Sequence, residues 1–284
     1  MNISVVIPVY NRPNKIRRAL DSVLKQSYSP GEIVVTDDGS SDETAGILED
    51  YHRCHPEVLH VFQHRENRGV SAARNTAIKQ ASGDWIALLD SDDEWWPHKL
   101  ERQVEYHRKH RELKVFQCNE VWYRNEVRVN KRDKHQKHSG QFFVHALKLC
   151  LVTSSATLVH RSVFQDIGYF DTSFPACEDY DFWLRVLVKY PVGLLDEPLM
   201  NRYSGHADQL SSRFWGMDRW RVRAMEKHLN STLPDEWKEA LYRELIAKLE
   251  VLHQGAEKRG KPSASAYQRK IIHYTALLRQ TESV

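Results

Sequence analysis

Residues 85–93 read Trp85-Ile86-Ala87-Leu88-Leu89-Asp90-Ser91-Asp92-Asp93. A short continuous apolar run bounded by polar residues is the pattern of a strand buried on both faces. Here the run stops abruptly in three carboxylates, so negative charge collects at one edge of a sheet. Carboxylates packed that closely repel one another unless a cation or a set of donors neutralises them. Asp and Ser are also ordinary turn and N-cap residues, so the tetrad reads equally as a loop capping the helix that begins near Pro97. On these nine residues alone both readings stay open.

Working outward, strand patterns over 3–9, 32–36, 58–63 and 84–89 alternate with helical patterns over 13–26, 42–52, 70–80 and 97–110. Asn11 stands where the first helix would be capped, and Ser40-Ser41-Asp42-Glu43 opens the second. This alternation predicts an α/β fold, a Rossmann-like, doubly wound, mostly parallel sheet. In such sheets ligands bind beyond the carboxyl ends of the strands. Three polar clusters fall there: Pro8-Val9-Tyr10-Asn11, Asp37-Asp38-Gly39-Ser40 and the tetrad. Their convergence on one edge argues for a site.

Beyond Lys114 the pattern loosens. Residues 115–123 alternate as a strand, 124–138 suit a mobile hairpin or loop, and 154–160 form a short strand. A helix opens at Glu178 and runs over 179–188, followed by closing strands at 192–195 and 198–203. Helices over 217–229, 234–253 and 262–278 end the chain. The expected organisation is a domain over 1–211, with halves 1–110 and 111–211, and a helical C-terminal extension over 212–284.

Composition narrows the class. With 41% apolar and 28% charged residues in 284, the chain is that of a soluble globular protein with a sizeable core. No apolar run approaches the length of a membrane span, and Met1-Asn2 leads into the first strand without the regions of a signal peptide. Cys54, Cys118, Cys150 and Cys177 are scattered with no C-x-x-C pair, which argues against a disulfide framework or structural zinc and for a cytoplasmic location. A net charge of +3 and no nucleic-acid module argue against a nucleic-acid partner. Two basic stretches stand out. The first, 124–138, holds six Lys and Arg against Glu126 and Asp133 and reads as a solvated face. The second sets Arg213, Arg219, Arg221 and Arg223 among Phe214, Trp215 and Trp220, a mixture suited to a sugar or phosphate site or to peripheral contact with an anionic membrane.

Several motifs occur in a fixed order: Val5-Val6-Ile7-Pro8-Val9-Tyr10-Asn11-Arg12, then Ile33-Val34-Val35-Thr36-Asp37-Asp38-Gly39-Ser40-Ser41-Asp42, then Asn67-Arg68-Gly69-Val70-Ser71-Ala72-Ala73-Arg74-Asn75. Gly83-Asp84-Trp85-Ile86, the tetrad and Glu178-Asp179-Tyr180-Asp181-Phe182-Trp183 follow. On these motifs the chain resembles glycosyltransferase family 2, whose members adopt the GT-A fold, from residue 3 to about residue 211. The resemblance implies a metal-dependent, inverting transfer of one sugar from a nucleoside diphosphate donor, a UDP-sugar by preference. The acceptor is expected to be a glycan, lipid-linked or lipooligosaccharide-type molecule.

Residue roles follow from the resemblance. Asp90 and Asp92 stand at the outer positions of the D-x-D motif. Asp92 is expected on a divalent metal, Mn²⁺ or Mg²⁺, whose hard ligands are carboxylate and phosphate oxygens. Asp90 is expected nearer the ribose as well as the metal, with Ser91 in the donor site, and Asp93 either shares the ion or caps the next helix. Asp38 would accept a hydrogen bond from the base, whereas Asp37 better fits an Asx-turn. Pro8, Val9, Tyr10 and Arg12 would line the nucleotide pocket. Arg74 would pair with phosphate, with Arg68 as competitor and a salt bridge to the aspartates as the alternative for both. Asp179, beside Glu178 at a helix start, would be the catalytic base. His206 is a candidate metal ligand or a polar loop residue. Trp95, Trp96, Trp183 and Trp215 are candidates for stacking on sugar rings.

One departure from the family pattern and two alternatives remain. The Gln/Arg-x-x-Arg-Trp motif of processive synthases is not evident, which favours single-sugar transfer. A catalytically silent nucleotide-sugar-binding relative, or an assembly subunit, is the non-enzyme alternative. A sugar-phosphate nucleotidyltransferase would carry a glycine-rich loop where Pro8-Val9-Tyr10-Asn11 stands.

Overall fold

The computed structural model describes residues 1–205, 214 and 216–281. Its first half holds β1 (Ile3–Val9), α1 (Pro13–Leu24), β2 (Glu32–Asp37), α2 (Thr44–Cys54), β3 (Leu59–Gln63), α3 (Val70–Gln80) and β4 (Trp85–Leu88). After the tetrad come β5 (Glu94–Trp95), α4 (Lys99–Lys109), β6 (Val115–Arg124), β7 (Val127–Val129), α5 (Phe143–Ala146), β8 (Thr157–His160) and α6 (Arg161–Ile167). The chain continues through α7 (Glu178–Lys189) and β9 (Gly193–Ser204) to α8 (Asp218–Glu226), α9 (Asp235–Glu257) and α10 (Ser263–Thr281). Among the described residues no helix is long and apolar enough to cross a membrane.

These strands form one mixed sheet in the order β3-β2-β1-β4-β8-β6-β9-β5, with β7 paired to β6 off that path. The first four are parallel, as the alternation predicts, and antiparallel pairing begins where β8 meets β4. Every residue of β1, β2 and β4 is buried, which explains their mostly apolar runs, and the buried polar pair at their start is satisfied by Ser4 Oγ donating to Glu32 at 2.6 Å. The chain steps outward from β1 to β2 and β3, then returns to place β4 on the other flank of β1. That reversal opens a crevice at the carboxyl ends of β1 and β4.

The two faces of the sheet bury separate cores, because alternate residues of a strand point opposite ways. Val5 and Ile7 pack with Ile16, Leu20, Trp95 and Leu100 on one face. Val6, Ile86 and Leu88 join a cluster on the other that includes Phe143, Trp183, Val222, Leu241 and Leu245. The C-terminal helices thus share the core of α5 and α7, and Trp237 stacks on Phe143 at 5.1 Å.

Local expectations meet several differences. Asn11 does not cap α1. It takes a left-handed conformation (φ 49°), its N–H donates to Ser40 Oγ and its Oδ1 accepts from the Ser41 N–H, so it stitches the loops after β1 and β2 together. Asn tolerates that conformation because its short polar side chain compensates locally. Pro13 begins α1 without losing a hydrogen bond. The expected closing strands are one strand, β9, whose pairing with β6 shifts register twice. The basic segment folds as a hairpin whose turn residues, Asn125 and Glu126, both have positive φ, the geometry that matches strand twist.

Candidate active site

A cavity of about 530 Å³ opens along the carboxyl ends of the strands. Pro8, Val9, Tyr10 and Arg12 line it after β1, Asp38 after β2, the whole tetrad after β4, and Glu178 and Asp179 at the start of α7. Arg74 reaches it from α3. Arg68 does not line it; its side chain is exposed, and its backbone N–H donates to Asp38. His206, Arg213 and Trp215 lie outside the described residues.

Asp38 is 2% exposed and already heavily bonded. Its Oδ1 accepts from His64 Nδ1 at 2.6 Å and from the Arg68 N–H at 3.0 Å, and its Oδ2 accepts from the Gly69 N–H at 2.7 Å. His64 Nε2 pairs with Thr76 Oγ1 at 2.9 Å, which fixes the ring. Close approach of the two loops needs Gly39, since a Cβ there would meet the Glu66 backbone at 2.6 Å. A carboxylate has about four lone-pair sites, so one on Oδ2 is left to face a ligand. Asp37 does not form the expected Asx-turn, which would bond two residues on: its Oδ1 accepts the Ser40 N–H three residues on at 3.0 Å, and its Oδ2 accepts from Gln63 Nε2 at 3.1 Å.

The tetrad divides its work. Asp92 Oδ2 accepts from Arg12 Nη1 at 2.8 Å, and its side chain is 20% exposed to the cavity. Asp90 Oδ1 accepts from Arg74 Nη2 at 2.7 Å, while Ser91 is buried. Asp93 faces inward: its Oδ2 accepts from Ser155 Oγ at 2.6 Å and its Oδ1 from the Tyr203 N–H at 3.0 Å. Ser155 Oγ also accepts the Asp90 N–H. Asp93 therefore does not cap the next helix, which starts at Lys99 with no side-chain cap; it ties the tetrad to β9. Burial, then the nearby charges of Asp92 and Asp90, push its carboxyl well above the usual range.

At the start of α7 the helix dipole favours carboxylates. Cys177, the N-cap, is buried and left-handed (φ 60°), a conformation that costs a non-glycine residue on the order of 1 kcal/mol and that aims the next two residues at the cavity. Glu178 is buried, and Arg74 bridges it at 3.5 Å to Asp90. Burial first, then the charge of Asp179, raise the Glu178 carboxyl to about 7 against the pull of Arg74. Arg74, 2% exposed, is thus a strut between tetrad and α7, the salt-bridge alternative of the two readings. Asp179 is half-buried, and its Oδ1 accepts only the Tyr180 N–H at 2.7 Å among the described residues.

The donor set can be tested against a divalent ion. Among the described residues no group of three or more His, Cys, Asp and Glu could hold a metal alone. Asp90 and Asp92 are hard oxygen donors on a cavity, which fits an ion held by one or two carboxylates and completed by phosphate oxygens. Trp95 and Trp183 are buried at 2% and 1%, so they are core residues and unavailable for stacking.

Four site residues escape sequence reading. His64, Ser155, Glu120 and Arg202 matter through contacts made far along the chain, and none belongs to a local pattern. Glu120, on β6, is buried and bonded to Lys137 at 2.7 Å, and Arg202 emerges from β9 beside it. The even sign change along 115–123 marks a strand but does not say that Glu120 would face a cavity.

Comparison with known proteins bears on this geometry. The family model described as glycosyl transferase family 2 matches residues 4–168. The Escherichia coli UDP-Glc:alpha-D-GlcNAc-diphosphoundecaprenol beta-1,3-glucosyltransferase is 33% identical over 185 residues, 65% of this chain and 69% of that protein. An uncharacterized glycosyltransferase of Rickettsia felis is 29% identical over 221 residues, 74% of this chain. The chain spans 35% of that relative's length and 58% of a Rickettsia prowazekii one. Among solved structures, S. aureus TarS 1-349 in complex with UDP-GlcNAc superposes with a TM-score of 0.71 at 21% identity, covering 100% of this chain and 91% of that one. The mannosyltransferase PcManGT from Pyrobaculum calidifontis, solved with GDP-Man and Mn²⁺, gives 0.62 at 18% identity, covering 99% and 84%. At those identities the two structures speak to the fold.

Proposed function

The chain belongs to glycosyl transferase family 2, and we propose that it transfers a single sugar, with inversion, from a nucleoside diphosphate donor to a glycan or lipid-linked acceptor. The observation that carries this reading is one cavity lined by Asp38, the tetrad and Asp179 together. A UDP-sugar is the favoured donor. The single lone pair left on Asp38 suits the one imide N–H of uracil, whereas guanine offers two adjacent N–H groups that would want both oxygens. The Escherichia coli relative's UDP-Glc donor and diphospholipid-linked acceptor support the same donor type and a lipid-linked acceptor.

In this reading the base sits at Asp38 and the diphosphate beside the tetrad. A divalent ion on Asp92 and Asp90, when bound, would neutralise charge on the departing diphosphate. The acceptor hydroxyl gives its proton to Asp179 as its oxygen bonds the anomeric carbon and the bond to the diphosphate oxygen breaks. Asp179 suits the role better than Glu178, which is buried against Arg74. Asp179→Asn is expected to lower transfer at least a thousandfold while leaving UDP affinity within about threefold. Turnover retained in that variant, measured as labelled sugar moved to acceptor, would remove Asp179 from the mechanism.

A further inference from the structure

We propose that the basic hairpin and the end of β9 form a second anion site in this cavity, one that takes a phosphate-class group carried by the acceptor. The proposal rests on reading the cavity as a transferase site, and it gives the basic segment 124–138 a use. Glu120 is its centre. Lys137, Lys131 and Arg202 approach that carboxylate at 2.7, 3.7 and 3.9 Å. Glu120 also accepts from Trp122 Nε1 at 2.7 Å and Thr153 Oγ1 at 3.0 Å. One carboxylate therefore faces three cations.

That imbalance shows in the side chains. Burial opposes ionisation of Glu120, yet Lys137, Arg202 and Lys131 hold it down at about 2. Lys131 pays the other side of the imbalance: burial, with repulsion from Lys137 and Arg202, keeps its ammonium below the ordinary range despite Glu120. Lys137 is spent, since it also donates to the Cys118 carbonyl at 2.9 Å and is 2% exposed. Arg202 is not. Its side chain is 41% exposed on the cavity, it lies 5.2 Å from the Trp122 ring, and its guanidinium donates no hydrogen bond to a described residue. A planar guanidinium held beside an indole presents its N–H fork to a tetrahedral oxyanion, which two oxygens accept together.

Arg202 stands next to Tyr203, whose N–H holds Asp93 of the tetrad, but its guanidinium approaches Glu120 on β6, so the site opens on the side of the tetrad away from Asp38. Asp38 follows β2, and the tetrad follows β4 two places along the sheet. A nucleoside diphosphate running from one to the other ends at the tetrad. Glu120 and Arg202 lie on β6 and β9, beyond β8 on the far side. Against the cost of desolvation, Glu120, then Asp93 and then Asp179 favour the Arg202 cation, so it feels both the tetrad and the group that meets the acceptor hydroxyl. An anion bound there belongs to the molecule that Asp179 deprotonates.

The test is a calorimetric titration of inorganic phosphate into protein saturated with UDP and Mg²⁺, for wild type, Arg202→Gln and Lys131→Gln. Phosphate is expected to bind the UDP-loaded wild type and to bind each variant at least tenfold more weakly, with UDP affinity within about twofold in all three. Phosphate that binds only when UDP is absent, or a loss of UDP affinity in Arg202→Gln equal to the loss for phosphate, assigns Arg202 to the donor and overturns the proposal. Failure of the wild type to bind UDP at all would instead overturn the donor-site reading, and phosphate titrated alone into the three proteins would still decide the anion site.

Discussion

Asp179 and Glu178 are neighbours with opposite circumstances, and the difference is measurable. Glu178 is raised to about 7 by burial and by Asp179, so the folded state resists its ionisation. A carboxyl raised on folding contributes its full stability below the unfolded value near 4.5 and loses it as pH rises through about 7. Glu178→Gln keeps an oxygen for Arg74 and removes the charge. Its melting temperature relative to wild type is expected to climb between pH 4.5 and pH 8, by an amount corresponding to a few kcal/mol. A difference that stays flat across that range would contradict the assignment. His64 offers a second test at this scale. Loss of its N–H from Asp38 should weaken UDP binding about tenfold in His64→Leu, and less in His64→Asn, which keeps a donor. Equal losses in a binding titration would show that His64 does not act through that hydrogen bond. Asp38, the tetrad and Asp179 were legible because each sits in an ordered motif at a strand or helix end. His64 and Ser155 were not, since their partners lie 26 and 62 residues away and nothing local marks them.

Among the elements, the parallel half was readable because β1, β2 and β4 are buried throughout and helices separate them at regular intervals. The second half was harder for a physical reason. β5 is two residues long and exists only because Met200 and Asn201 of β9 pair with it, and β7 depends on the Asn125-Glu126 turn. α4 shows what such reading misses within a helix. Its first residue, Lys99, is fully buried, sits 3.8 Å from the Trp95 ring and donates to Gln103 at 2.9 Å. Burial lowers its ammonium to about 7. A base lowered on folding costs nothing above its unfolded value near 10.4 and costs most below about 7, so this site alone makes stability rise with pH between them. Lys99→Met should stabilise the protein at pH 7 by on the order of several kcal/mol, with the gain shrinking toward pH 10. Chemical denaturation at the two pH values checks this, and an equal or larger gain at pH 10 would refute it.

For the whole molecule, the sheet reversal makes the crevice, Arg74 braces its two sides, and the C-terminal helices share the core beneath α7. In the proposed reading the nucleotide runs from Asp38 after β2 to the tetrad after β4, and the acceptor enters between α7 and β9. If Asp90 and Asp92 hold a divalent ion that the diphosphate completes, as proposed, catalysis should depend on the ion and on UDP together. The most direct measurement is UDP release from a panel of UDP-sugars with Mn²⁺ and again with EDTA, in wild type and Asp92→Asn. The account predicts release from at least one UDP-sugar that EDTA abolishes and that Asp92→Asn lowers at least a hundredfold. Release that is unchanged by EDTA and by Asp92→Asn would contradict it.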